Sequence, residues 1–109
     1  MSTFDDREQA FEKKYAHDTE MQFRATARRN KLLGLWAAET MGLGADEAAD
    51  YAKQVVAAGL SADGDAAVRE RVAADLAKAA TAVDAAAVSA RMTALMAEAK
   101  AQIATETRD

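Results

Sequence analysis

No proline interrupts this chain, and no glycine occurs before Gly34. Nothing in its first third therefore forbids a helix, because the two residues that most strongly break one are missing. The five glycines that do occur lie at Gly34, in Gly42 and Gly44, and in Gly59 and Gly64. Apart from Gly34, they punctuate helical patterns, as glycine does past a helix end. An all-α chain is the expectation. Its first segment is unusual, because Phe4 to Glu20 is mostly charged and carries only Phe4, Phe11 and Tyr15 as large apolar side chains. Such a segment can be helical, yet it offers too little apolar surface to fasten itself to its own domain.

The 109 residues suffice for one small domain. Half of them are apolar, but alanine supplies much of that half, so the core is expected to be thin. Cysteine is absent, which excludes disulfides, thiolate metal sites and cysteine nucleophiles. One histidine cannot build a multi-histidine metal centre. A net charge of −4 argues against a general nucleic-acid binder. No apolar run reaches the roughly 18–20 residues that span a bilayer, and the N-terminus does not read as a signal peptide, so a cytoplasmic location is expected.

Along the chain, Thr3 is placed to cap a helix, with Asp5, Asp6 and Glu8 where the dipole favours anions. At about 100° per residue Phe4, Phe11 and Tyr15 form a narrow ridge. Thr19 followed by Gln22 resembles a capping box and predicts a helix start there. Met21, Ala25, Leu32, Leu35 and Trp36 then share one broad side, and Gly42-Leu43-Gly44 ends that helix. A second helix is expected over Ala45 to Ala58, with Ala48, Tyr51, Ala52, Val55 and Val56 inward. Asp65 is read as the cap of a third, bearing Val68, Val72 and Leu76. Asp84 is read as the cap of a fourth, with Val88, Met92, Leu95, Met96, Ala99 and Ile103 on one side. Short links imply a small antiparallel four-helix bundle over 19–109, preceded by a mobile N-terminal arm over 1–18.

The chemistry-bearing residues are few. The pairs Asp5-Asp6 and Asp46-Glu47 diverge by about 100° on a helix, so they fit helix starts better than shared-proton catalysis. No nucleophile–base set, glycine-rich phosphate loop or metal-ligand spacing appears. His17 reads as a solvated hinge residue, with a pH-sensitive partner contact as the alternative. Arg24, Arg28, Arg29 and Lys31 form a basic cluster. It reads as a solvated face balanced by acids, or as a docking contact for an acidic protein surface. No aromatic platform for stacking bases accompanies it. Phe4, Phe11 and Tyr15 either complete the bundle's core or insert into a groove of another protein, and spacing leaves both open.

The same residues carry a family likeness. Thr-Phe-Asp-Asp-Arg-Glu at Thr3 to Glu8, Ala10-Phe11-Glu12, Ala16-His17-Asp18, and the run from Ala27 to Glu39 (Ala-Arg-Arg-Asn-Lys-Leu-Leu-Gly-Leu-Trp-Ala-Ala-Glu) resemble the zeta subunit of alphaproteobacterial F-type ATP synthases. The likeness is dense over the first 40 residues. Beyond them it rests on length, Tyr51-Ala52-Lys53-Gln54-Val55-Val56 and helical layout. Tyr15 stands where Phe is more usual, which adds a hydroxyl to the ridge. The resemblance implies a non-enzymatic inhibitor of ATP hydrolysis by the catalytic head of the synthase. It implies that the N-terminal arm enters the interface between catalytic and non-catalytic subunits beside the rotor, with the alpha, beta and gamma subunits as partners. The partner-binding residues would be Phe4, Asp5, Asp6, Arg7, Glu8, Phe11, Glu12, Lys14 and Tyr15. A free monomer, cytoplasmic and peripheral to the inner membrane through the synthase, is expected, with no required cofactor. The alternative is a purine-nucleotide-sensing helical domain that takes ADP or ATP, a ligand also suggested for this family.

Overall fold

A computed structural model describes the backbone from Thr3 to Glu106 and the side chains from His17 to Glu106. The described residues form four α-helices: α1 (Thr3–Thr40), α2 (Ala45–Ala58), α3 (Gly64–Lys78) and α4 (Ala85–Glu106). The all-α four-helix expectation is met. The mobile arm expected over 1–18 falls, up to residue 16, on residues whose side chains lie outside those described.

Cross-helix contacts give the directions. Arg28 reaches Gln102 and Glu106, while Trp36, eight residues on, packs under Arg91 with the guanidinium carbon 5.0 Å from the ring centroid. Rising numbers on α1 meet falling numbers on α4, so the two are antiparallel. Gly34 faces Ala52 and Val55, and Asn30 faces Gly59, which sets α2 antiparallel to α1. Tyr51 to Asp75 and Gln54 to Arg71 set α3 antiparallel to α2.

The core is drawn from all four helices. Leu33, Ala37 and Ala38 of α1 meet Tyr51 and Val55 of α2, Val68, Val72 and Leu76 of α3, and Val88, Met92 and Leu95 of α4. Val68, Val72 and Leu76 recur every four residues on one stripe of α3 and are fully buried, as their spacing predicts. Truncating Leu76 to Ala would remove about 2–5 kcal/mol. On α1 the stripe is rotated from the one expected. Leu33 lies at its centre, while Met21, Leu32, Leu35 and Trp36 are half-buried at its edges. The α1–α2 contact is close enough that small residues decide the angle. A Cβ built on Gly34 would stand 2.7 Å from the Ala52 Cα. Alanine at this seam therefore brings backbones together rather than filling volume, and the α1 face turns to present Gly34 to α2.

Helix ends follow local chemistry. The Leu43 N–H donates to the Ala38 carbonyl at 2.9 Å and the Gly42 N–H to Glu39 at 3.0 Å, with Gly42 at φ +79°. This pattern closes the last turn of α1 on a left-handed residue. The Asp84 carboxylate accepts from the Ala87 N–H at 2.9 Å, so it caps α4 as expected. Two expectations are corrected. The residue before α3 is Asp63, without a side-chain cap hydrogen bond, and Asp65 lies inside the first turn. Helix α1 also runs through Thr19 to Gln22 without a start there, since the Thr19 side chain is no stronger a signal than an unbroken helical run around it.

Candidate functional site

Four basic residues close together in sequence, Arg24, Arg28, Arg29 and Lys31, point around α1 in different directions. Arg24 pairs with Glu20 at 2.7 Å, both exposed and one helical turn apart. Arg28 donates to Gln102 at 2.7 Å and pairs with Glu106 at 2.8 Å, which ties α1 to the end of α4. Arg29 is buried, donates through Nε to the Asn30 Oδ1 at 2.9 Å, and pairs with Asp65 at 2.6 Å. Lys31 is exposed and forms no ion pair with a described residue. Arg28 and Arg29 thus spend their charge within the bundle, and Arg24 and Lys31 remain at its surface.

His17 is exposed, as are Asp18, Thr19 and Glu20. Met21 is half-buried, and Ala25 is the first buried side chain among those described on α1. Among the described side chains of α1, exposure therefore gives way to burial between Glu20 and Ala25. Phe4, Asp5, Asp6, Arg7, Glu8, Phe11, Glu12, Lys14 and Tyr15 all precede His17, outside the described side chains.

An open groove of about 490 Å³ runs between α1 and the end of α2. Phe23 and Leu60 line it with Ala27, Val56 and Gly59, and Asp18, Thr19 and Gln22 form its outer end. Phe23 is 62% exposed and Leu60 66%, the large apolar side chains most open to water among the described residues. Sequence reading missed both. Phe23 stands between Gln22 and Arg24, off the buried stripe, and Leu60 sits within the Gly59–Gly64 link. The available signal was a large apolar residue outside the periodic pattern.

A second open space, of about 560 Å³, lies between α1, α3 and α4. Arg29, Arg69 and Lys100 line it together with Ser89, Thr93 and Asp65. A phosphate-bearing ligand would meet cations here, but the Arg29 guanidinium already has its counter-ion in Asp65. On the opposite side, Tyr51 donates to Asp75 at 2.7 Å, and Arg71 pairs with Asp75 at 3.5 Å. Burial, then the hydrogen bond and charge of Asp75, push the Tyr51 phenol well above its usual range, with Arg71 acting the other way. That network joins α2 to α3 and lines neither of these two spaces.

An alanine-rich four-helix bundle with an exposed apolar groove between α1 and α2 has the surface of a protein-contact module. The chain belongs to the family described as ATPase inhibitor subunit zeta, whose profile matches residues 1–102. The match agrees with the resemblance carried by the first 40 residues, and it makes the chain a regulatory rather than a catalytic protein. No curated protein and no solved structure matches it. Among the described residues no helix is long and apolar enough to cross a membrane.

Proposed function

We propose that this chain inhibits ATP hydrolysis by the catalytic head of the F-type ATP synthase, by inserting residues 1–18 as a helical arm into a catalytic subunit interface. The observation that carries this reading is where packing begins. The family match includes the arm, and the described core cluster is drawn from Leu33 onward, with His17 to Glu20 exposed between the arm and the first buried side chain described, Ala25. As a helix, Phe4 to Glu20 would span roughly 25 Å, long enough to enter a cleft while the bundle stays outside.

Hydrolysis requires catalytic subunits to open and close in turn. A helix that binds one of those shapes better than the others holds the interface in that shape. Phe4, Phe11 and Tyr15 would supply about 1.5–3 kcal/mol each on full burial, against an ordering cost of about 2–5 kcal/mol. Three anchors offset that cost, whereas one does not. Asp5, Asp6, Arg7, Glu8, Glu12, Lys13 and Lys14 would fix register through charge pairs at the rim. The partners are then the alpha, beta and gamma subunits, and the chain sits peripheral to the inner membrane through them. A Phe4→Ala, Phe11→Ala double variant should weaken inhibition by about 3 kcal/mol or more, on the order of a hundredfold. Unchanged inhibition would remove the aromatics from the interface.

The second reading is a purine-nucleotide sensor, favoured by the space that Arg69, Lys100, Ser89 and Thr93 line. ATP or ADP titrated into the protein would then shift amide resonances around these residues. An unperturbed spectrum at millimolar nucleotide would end that reading.

A further inference from the structure

Phe23, Ala27, Lys31 and Leu35 stand four residues apart on α1, one row along a single side of the helix over about 18 Å. Val56 of α2 runs beside this row, since it lines the space at Phe23 and Leu60 and also the space at Lys31, Leu35, Ala49 and Lys53. The result is one apolar strip from Leu60 to Leu35, not two unconnected hollows. Nothing within the bundle calls for it, because Leu33, Ala37 and Val55 already fill the α1–α2 seam beneath.

Cations border the strip. Arg24 and Lys31 flank Phe23 and Ala27, and Lys53 stands beside Val56. Arg24 is matched by Glu20, and Asp18 lies at the outer end, but Lys31 and Lys53 form no ion pair with a described residue. A chain of net charge −4 therefore exposes unmatched positive charge beside the most exposed large apolar side chains among the described residues. A surface so arranged complements an apolar ridge flanked by carboxylates.

We propose that this strip is a second docking contact, which takes an acidic amphipathic helix of the ATPase head. The inference rests on the inhibitory reading above. Helix α1 carries both the strip and the arm, so a partner that grips the arm holds this strip at high effective concentration. The strip then strengthens binding, while the arm does the blocking.

The test uses the full chain and a purified F-type catalytic head, with binding and ATP hydrolysis read separately. A Phe23→Ser, Leu60→Ser variant should keep its helical circular dichroism and weaken binding at least tenfold. A Lys31→Glu, Lys53→Glu variant should weaken binding similarly and lose salt dependence. Unchanged binding in both variants overturns the proposal. Tighter inhibition by the serine variant would mean the strip holds this chain's own N-terminal segment. A wild-type dimer that the serine variant dissociates would mean it holds a second copy. Either result also overturns the proposal. Failure of the inhibitory reading looks different: wild type binds the head, the serine variant binds it weakly, and hydrolysis continues with both. Absence of any wild-type binding overturns both readings.

Discussion

The Arg29 guanidinium and the Asp65 carboxylate meet at 2.6 Å between α1 and the first turn of α3, with the arginine side chain 5% exposed and the aspartate 68%. The pair is one-sided, since water solvates the aspartate freely and the arginine hardly at all. Removing Asp65 leaves a buried charge with only Asn30 as partner. Asp65→Ala should therefore cost about 1.5–3 kcal/mol, the range of a hydrogen bond to a charged group. Arg24→Ala, which breaks a pair exposed on both sides, should cost less than about 1 kcal/mol. Urea unfolding followed by circular dichroism would compare the two.

Tyr51 gives the bundle an alkaline limit. Its phenol is held neutral in the folded chain by burial and by Asp75, while in the unfolded chain it ionises near pH 10. Its folded value is the higher one, so this contribution is intact below pH 10 and falls as pH rises beyond it. The slope approaches about 1.4 kcal/mol per pH unit. Tyr51→Phe should lose about 1 kcal/mol at pH 7 and flatten the decline above pH 10. Melting temperatures of both proteins between pH 7 and 11 would show it.

Helix α3 ends as α1 does, with Thr81 N–H donating to Leu76 and Ala80 N–H to Ala77, but the left-handed position is an alanine at φ +59°. Left-handed backbone costs a residue with a Cβ about 1–2 kcal/mol. Ala80→Gly should then raise stability by up to about 1 kcal/mol after the added freedom of the unfolded glycine is subtracted. A lower denaturation midpoint in this variant would contradict the reading of that turn.

Gly34 is the opposite case. Its helical backbone suits any residue, but an added methyl meets the Ala52 backbone at 2.7 Å, where no side chain can swing aside. Gly34→Ala should destabilise by about 1–3 kcal/mol, despite alanine's better helix propensity. Chemical-shift changes should concentrate on α2 around Ala52 and Val55.

These residues also show what a sequence displays and what it hides. The stripes of α3 and α4 and the Asp84 cap were legible, since each depends on neighbours within a turn or two. The fate of the basic cluster was not. Whether Arg29 points to solvent or inward is decided by Asp65, 36 residues away. The Gly34–Ala52 contact turned α1 to put Leu33 rather than Leu32 at the centre, and no periodicity of α1 alone encodes its partner's backbone. Phe23 escaped attention because a search for stripes ignores an apolar residue on the polar side.

The central claim is that the first residues block hydrolysis while the bundle stands without them. The most direct measurement adds a chain comprising residues 18–109 to a catalytic head turning over ATP, beside the full-length protein. The account predicts a cooperatively melting helical domain with hydrolysis at the uninhibited rate, while the full chain arrests it. Full inhibition by the shortened chain, or loss of its fold, would contradict the account.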